Sequence, residues 1–211
     1  MIVLSHRGLW YHHHEKNTFE AFKKSFSSDF GIETDLRDYR GGVAVSHDMA
    51  NENCLALEEL FSLYAKNCKN LPLALNIKAD GLQLMLKKLL DKYKISNYFV
   101  FDMSVPDALT YIDLNFNVFT RQSEYEINPS FYDKACGVWM DEFYSHWIDE
   151  NTLKKHFDNN KLVCIVSPEL HKRDYQKEWR EYKNMDKKYG FGDRVMICTD
   201  YPEKAKEFFN A

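Results

Sequence analysis

Glu33 and Asp35, two acidic residues two positions apart, form the first pattern in this sequence that could do chemistry. They fall in the apolar run Gly31–Leu36, which predicts a β-strand, and alternate residues of a strand point to the same face. Two carboxylates on one face repel each other and raise each other's pKa unless a cation joins them. Hard divalent cations such as Mg²⁺ and Ca²⁺ prefer these oxygen ligands. The pair therefore indicates a metal site. The ordinary alternative is that one of the two acids forms a salt bridge and the other is solvated.

Polar side chains also end the other apolar runs of the chain. Where strands run parallel, their carboxyl ends meet at one edge, and catalytic groups collect there and in the loops that follow. In chain order these positions carry Ser5-His6-Arg7-Gly8, Glu33 and Asp35 with Arg37, His47-Asp48, Asn76 and Lys78, Asp102, Arg121, Asp141-Glu142, Ser167 and Glu169, and Asp200.

Eight short apolar runs, most of them continuous rather than alternating, predict strands buried on both faces of a parallel sheet. They are Ile2–Ser5, Gly31–Leu36, Leu73–Ile77, Tyr98–Asp102, Asn117–Thr120, Gly137–Met140, Leu162–Val166 and Val195–Thr199. Stretches of helical period separate them, and each strand–helix unit averages about 26 residues, near the lower limit for a barrel. The sequence therefore predicts a compact α/β fold, a (β/α)8 TIM-type barrel with short loops; a doubly wound open sheet is the alternative. No Pro-, Gly- or Ser-rich linker interrupts the alternation, which predicts one domain over residues 1–211.

Local signals predict where several helices begin. Asn17 is a candidate N-cap because Glu20 follows three positions later, as in a capping box. Ser104 begins a second such box, with Pro106 in the first turn of the helix. The segment Ser123–Ala135 has the poorest helical signal of the chain.

The composition excludes several classes of protein. Hydrophobic residues make up 45% and charged residues 28%, which is ordinary for a globular domain. The net charge of -4 gives no basic excess that would favour a nucleic-acid partner. Five scattered cysteines without a CxxC pair predict reduced thiols rather than a disulfide framework. No signal peptide or apolar span is evident, so we expect a cytoplasmic protein without integral membrane association.

Four short motifs occur in order within the first 48 residues. They are His6-Arg7-Gly8, Asn17-Thr18, Ile32-Glu33-Thr34-Asp35 and His47-Asp48. This order resembles the glycerophosphodiester phosphodiesterase family, whose pattern reads HRG, PENT, IExD and HD. Looser matches follow at Asn76-Ile77-Lys78 and Cys198–Pro202. The resemblance implies a (β/α)8 barrel related to the phosphatidylinositol-specific phospholipases C, and a hydrolase that acts on a small glycerophosphodiester.

The resemblance also implies roles for single residues. His6 and His47 would be the general acid and base, because imidazole titrates near neutral pH and can serve in both directions. Arg7 and Lys78 would neutralise phosphate oxygens, and Asn17 would join them in binding the substrate. 

Glu33 and Asp35 would ligate a divalent cation, Mg²⁺ or Ca²⁺, that acts as Lewis acid and template. In the family, a neighbouring hydroxyl of the glycerol assists the cleavage.

Two departures from the family pattern affect these roles. The family's third metal ligand is a Glu in an E-x-K pattern, whereas this chain has Asn76 there, which offers a neutral oxygen and predicts weaker metal affinity. Asp102 at the end of the next strand could complete the ligand set, and Asp141 is a more distant candidate. Lys16 stands directly before Asn17, where the family has a Glu, or Glu15 has been displaced by one residue.

Two alternatives to hydrolysis remain at this stage. A non-catalytic barrel that binds a phosphate ligand would explain a metal site weakened at Asn76, although pure binding has no need of both His6 and His47. A Schiff-base lyase that uses Lys78 would leave the imidazoles and the acid pair unexplained.

Overall fold

The computed structural model describes residues 1–67 and 70–210. They form two compact units, an amino-terminal unit (Ser5–Val118) and a carboxy-terminal unit (residues 119–210 with Met1–Leu4). The described cysteines, Cys54, Cys136, Cys164 and Cys198, are thiols rather than disulfides, as predicted, and Cys68 lies outside the described residues.

Strands and helices alternate along the described chain. The strands are β1 (Ile2–His6), β2 (Gly31–Tyr39), β3 (Gly42–Val45), β4 (Leu55–Ala56), β5 (Leu73–Ile77), β6 (Tyr98–Phe101), β7 (Phe119–Gln122), β8 (Gly137–Met140), β9 (Leu162–Val166) and β10 (Val195–Thr199). The helices are α1 (Phe19–Ser27), α2 (Leu57–Asn67), α3 (Gln83–Tyr93), α4 (Val105–Asp113), α5 (Glu150–Asp158), α6 (Gln176–Tyr189) and α7 (Pro202–Asn210).

The amino-terminal unit has a parallel sheet with a hairpin attached to it. β2 pairs parallel with β5, and β5 pairs parallel with β6. Beyond Asp35, β2 continues into an antiparallel hairpin with β3, and β3 pairs with the short β4. The register sets Asp35 opposite Asn76 on neighbouring strands, so these two side chains share a face. Helix α1 packs its apolar side chains Phe22 and Phe26 into the core of this unit.

The carboxy-terminal unit repeats the strand–helix alternation. β7, β8, β9 and β10 pair in parallel in that order, and the first residues of β1 lie beside β10. Trp179 of α6 is buried against Phe208 and Phe209 of α7, with ring centroids 5.7 and 5.4 Å apart. This unit is therefore built from parallel strands whose faces are buried under amphipathic helices.

The predicted elements agree closely with the structure. All eight predicted strands are present, no helix forms within Ser123–Ala135, and a parallel-rich α/β fold is confirmed. The hairpin strand β4 was outside the predicted set because two residues are too few to leave a periodic signal. Closure into a barrel and the single-domain assignment stay predictions.

One helix start was predicted one residue early. Thr18, not Asn17, is the N-cap of α1, and its hydroxyl accepts a hydrogen bond from the Ala21 amide. Asn17 instead has a left-handed backbone with φ of 60°, which lets its side chain point at the acid pair. By contrast, Ser104 caps α4 as predicted.

None of the helices in the described residues combines the length and the apolar character that a membrane crossing needs.

Candidate active site

The loop that follows β1 is fastened to β2 through its backbone. The Arg7 amide donates a hydrogen bond to the Glu33 carbonyl at 2.9 Å, and the Asn17 amide donates to the Arg7 carbonyl at 2.9 Å. Arg7 has a φ of 59°, a left-handed conformation that non-glycine residues adopt at a cost. The loop therefore holds His6 and Arg7 directly beside the acid-bearing strand.

Gly8 makes the close approach of this loop to helix α1 possible. Its φ is 89°, and a Cβ placed there would lie 2.8 Å from the Ala21 Cβ and 2.9 Å from the Ala21 carbonyl carbon. Only glycine combines this backbone conformation with this contact. The glycine of the His6-Arg7-Gly8 motif is thus required by packing.

We expect Gly8→Ala to lower the free energy of unfolding by roughly 2–4 kcal/mol, because it adds a steric overlap to an unfavourable φ. Gly41→Ala is a matched control, since Gly41 has a φ of 75° but no atom within 4 Å of an added Cβ. Urea unfolding of both variants separates the clash from the conformational cost. An equal loss in both would contradict this account.

Glu33 and Asp35 lie side by side and almost fully buried, with 2% and 0% of their surface exposed. The Asn76 Nδ2 group donates to Glu33 Oε1 at 3.3 Å. Asp35 Oδ2 accepts from Asn17 Nδ2 at 2.9 Å and lies 3.0 Å from Arg7 Nε. Two buried acids are therefore held between an arginine and two amides.

The environment of this pair disfavours its negative charge. Burial, followed by the repulsion of Asp35, raises the pKa of Glu33 to about 8, although Arg7 and Lys78 oppose the shift. A cation that reaches this carboxyl group would therefore stabilise its charged form.

Three buried oxygens of this site have no hydrogen-bond partner among the described residues. They are Glu33 Oε2, Asp35 Oδ1 and Asn76 Oδ1. Buried polar atoms are nearly always paired, so orphaned acceptors on adjoining side chains need an explanation. Carboxylate and amide oxygens are the donors that Mg²⁺ and Ca²⁺ take, and these residues therefore fit a hard divalent cation.

Lys78 and Asp102 form an ion pair next to the acids. The Lys78 Nζ group lies 3.0 Å from Asp102 Oδ2 and 3.8 Å from Asp35 Oδ1. Asp102 follows β6, which pairs with the strand that carries Asn76. Asp102 thus lies at the rim of the acid pair, where its carboxylate contacts Lys78.

The two imidazoles occupy different settings. His6 Nε2 lies 3.8 Å from Glu33 Oε2, and 15% of its side chain is exposed. His47 is 48% exposed, and its Nδ1 lies 2.9 Å from Asp48 Oδ1. A proton on Nδ1 shared with Asp48 leaves Nε2 as the acceptor that faces outward.

The β2–β3 hairpin positions His47 close to the acid-bearing strand. The Ser46 amide donates to the Asp35 carbonyl at 3.0 Å, and Arg37 Nε donates to the His47 carbonyl at 3.1 Å. The hydrogen bond from His47, with smaller contributions from Arg7 and Arg37, lowers the pKa of Asp48. His47 therefore lies in the chain directly after the strand paired with the acid-bearing strand, and its side chain is about half exposed.

Asn17 and Glu15 have contacts that the sequence did not reveal. Besides Asp35, the Asn17 side chain engages Thr34, whose hydroxyl donates to Asn17 Oδ1 at 3.0 Å. Glu15 turns back on its own loop, where the amides of Tyr11 and His12 lower its pKa to about 2. Glu15 thus supports the loop. An Asn–Thr pair before a helix was the available signal for Asn17, but it is also an ordinary N-cap signal.

Asp141, the more distant ligand candidate, lies in the carboxy-terminal unit. It accepts a hydrogen bond from His171, with 2.6 Å between Oδ1 and Nε2.

No protein-family model and no curated protein matches this sequence. Solved structures do match it along its whole length. A protein from Galdieria sulphuraria described as a glycerophosphodiester phosphodiesterase is 19% identical, with a TM-score of 0.79 over 100% of this chain and 98% of that one. An Oleispira antarctica phosphodiesterase in complex with the product sn-glycerol-3-phosphate is 13% identical, with a TM-score of 0.71 over 100% and 97% of the two chains.

A Ca²⁺-dependent phosphatidylinositol-specific phospholipase C from Streptomyces antibioticus is 9% identical, with a TM-score of 0.61 over 98% of this chain and 96% of that one. The chain therefore has the fold of the glycerophosphodiester phosphodiesterases and of this phospholipase C.

Proposed function

We propose that this chain is a metal-dependent phosphodiester hydrolase that acts on a small glycerophosphodiester-like substrate. One observation carries the proposal: the buried and unpartnered oxygens of Glu33, Asp35 and Asn76 lie beside two cationic side chains and an imidazole. A core that evolved only for stability would not retain this arrangement, because two acids buried side by side with unsatisfied oxygens destabilise a fold.

Glu33, Asp35 and Asn76 would hold the metal, with Asp102 able to reach it from the rim. A bound Mg²⁺ or Ca²⁺ would polarise the phosphoryl group and offset its charge. Asn76 contributes no formal charge, so we expect weaker binding than a site with three carboxylates would give. 

His6 and His47 would move the protons of the reaction. One imidazole accepts the proton of the attacking hydroxyl as its oxygen bonds to phosphorus; this hydroxyl is that of water, or that of the neighbouring glycerol carbon, in which case water opens the resulting cyclic phosphate in a second step. The second, protonated, gives its proton to the leaving oxygen as the old phosphorus–oxygen bond breaks. The hydrogen bond of Asp48 to His47 Nδ1 supports this role, because it fixes which ring nitrogen is free to exchange a proton.

Arg7 and Lys78 would bind the phosphate oxygens. Arg7 is braced by Asp35, and Lys78 by Asp102, so both charges are fixed before the substrate arrives. The Asn17 contacts to Asp35 and Thr34 make it a positioning residue for the acid pair in addition to its proposed place beside the substrate.

The fold comparison supports the substrate class. A structure that shares the fold holds sn-glycerol-3-phosphate as its product, and the site of this chain offers two cations for one phosphoryl group. The cytoplasmic location that the sequence predicts belongs to the same proposal.

Metal addition and removal test the proposal. We expect Mg²⁺ or Ca²⁺ at about 100 times its Kd to raise the Tm by roughly 5–10 °C, and EDTA to abolish release of glycerol phosphate from a glycerophosphodiester panel. The stabilising effect of Mg²⁺ or Ca²⁺ should be absent in Asp35→Asn. Full hydrolysis in EDTA would refute the metal role.

A non-catalytic phosphate-binding domain is the second candidate, and the neutral Asn76 favours it. Such a protein would bind a glycerophosphodiester in calorimetry without releasing product, and His6→Ala would leave turnover at zero. A Schiff-base role for Lys78 is not favoured, because its ion pair with Asp102 gives it the function of a fixed charge. Borohydride trapping with substrate checks that point.

A further inference from the structure

A second group of potential ligands lies in the carboxy-terminal unit, outside the site described above. Glu142 and His146 belong to the loop after β8, and Glu178 belongs to α6. Their ligand atoms all lie within 4.8 Å of one another. His146 Nδ1 is 2.9 Å from Glu142 Oε1 and 3.8 Å from Glu178 Oε2. Ligand atoms around a tetrahedral zinc ion are about 3.4 Å apart, between these two distances.

Glu178 supplies an orphaned acceptor that points into this group. Its side chain is 7% exposed, and Oε2 is buried with no hydrogen-bond partner among the described residues. Its other oxygen is engaged by Arg173. A buried carboxylate oxygen next to an imidazole nitrogen needs a proton or a cation to offset its desolvation.

The Glu142 carboxylate accepts hydrogen bonds at most of its acceptor positions, and the remaining position faces His146. Oε1 accepts from the amides of Trp147 and Ile148, and Oε2 accepts from the Tyr182 hydroxyl at 3.0 Å. A carboxylate has about four acceptor positions, and the one that is left after these three faces His146 Nδ1, which is at hydrogen-bond distance from Oε1. A metal ion at this point would take the place of the hydrogen between them. 

His146 is oriented from its far side. Its Nε2 lies 2.8 Å from Glu181 Oε2. A proton on Nε2 bound to Glu181 leaves the Nδ1 lone pair directed at Glu142 and Glu178. A carboxylate behind a histidine in this way is the usual support of a metal-ligating imidazole.

The charges at this point favour a cation. With a neutral His146, three acids (Glu142, Glu178 and Glu181) face two contacting cations: Arg173, which pairs with Glu178 and lies 3.7 Å from Glu142, and Lys177, which lies 3.8 Å from Glu181. The local sum is one negative charge, which a metal cation would offset.

We propose that Glu142, His146 and Glu178 form a second metal site, which binds a borderline transition-metal dication such as Zn²⁺ and ties the loop after β8 to helix α6. The imidazole ligand selects against Mg²⁺ and Ca²⁺, which prefer all-oxygen sites. Glu181 is a positioning residue that holds the imidazole.

Zinc binding to the full chain tests the proposal in a Glu33→Gln background, which weakens the other candidate metal site. Equilibrium dialysis with metal analysis should give one Zn²⁺ per chain, and His146→Gln or Glu178→Gln in that background should weaken binding at least about 100-fold. Glu181→Gln should weaken it about 10-fold. His171→Gln is the matched control, since His171 also pairs with an acid in this unit but lies outside the group.

Cobalt substitution gives a second readout that does not depend on stoichiometry. A four-coordinate Co²⁺ site with N and O ligands gives strong visible absorption, which both ligand variants should abolish while circular dichroism shows that they remain folded. Absent zinc uptake, or uptake that His146→Gln and Glu178→Gln leave unchanged, would overturn the proposal. A higher Tm of Glu178→Gln with no response to zinc would identify a proton-sharing acid pair instead.

Discussion

Replacing His6 or His47 with alanine is expected to lower kcat on a glycerophosphodiester at least about 10²-fold, the usual contribution of a general acid or base. His6 lies 3.8 Å from the acid pair, and His47 is oriented by Asp48 at the end of the neighbouring hairpin. Each proton transfer would have to pass through water without them. Steady-state kinetics over pH 5–9 measures the effect, and the wild-type profile should be bell-shaped with both imidazoles present.

His14→Ala is the matched control for these variants. His14 is exposed and stacks on His12 in the loop after β1, so its removal should leave kcat unchanged. Near-wild-type turnover of both His6→Ala and His47→Ala would reject the acid–base assignment. A loss of kcat in only one of the two variants would mean that solvent, not the other imidazole, transfers the second proton of the reaction.

The fold was largely predictable because strands buried on both faces leave continuous apolar runs. Leu73–Ile77 and Val195–Thr199 have no solvent-facing positions, and their limits in the sequence coincide with those of β5 and β10. The predicted start of a helix is less exact where two neighbouring polar residues could both serve as its N-cap. Asn17 and Thr18 are equally good N-caps by type, and only the tertiary contact of Asn17 with Asp35 decides between them.

The candidate site was predictable where motif and strand position coincide. Glu33 and Asp35 share a face because strand geometry requires it, and Asn76 joins them because β2 and β5 pair in register. The sequence did not reveal which side chain each charged group contacts. Asp102 stays a predicted metal ligand, and the sequence did not reveal that its carboxylate also pairs with Lys78, since that contact depends on side-chain reach.

Long-range polar clusters were beyond the sequence signal altogether. Glu142 and His146 are four residues apart in a loop without regular period, and Glu178 comes from a helix 36 positions after Glu142. Periodicity cannot reveal such a group, because only the packing of α6 brings the third residue to it.

Glu33→Gln should raise stability while it removes activity. The pKa of Glu33 is about 8 in the folded protein against an ordinary value of 4.5, so the folded protein binds more protons than the unfolded chain between those values. The free energy of unfolding of the metal-free wild type therefore falls as pH rises through this window. A neutral glutamine does not titrate, so the Glu33→Gln variant lacks that loss. We expect its free energy of unfolding to exceed that of the wild type by roughly 2–4 kcal/mol at pH 8 in EDTA.

Urea unfolding at pH 5 and pH 8, with and without metal, resolves the two effects. The stability gain of Glu33→Gln over the wild type should shrink towards pH 5. Mg²⁺ or Ca²⁺ should raise the free energy of unfolding of the wild type but not that of the variant. The variant should also have lost hydrolysis. Glu15→Gln is the control of opposite sign, because backbone amides lower the pKa of that partly exposed acid to about 2 and its removal brings no gain at pH 8. Destabilisation by Glu33→Gln at pH 8 would mean that the buried acid is held for structure. A stability gain coupled to lost turnover is what a carboxylate retained for a cation must give, since its burial is costly until the cation binds.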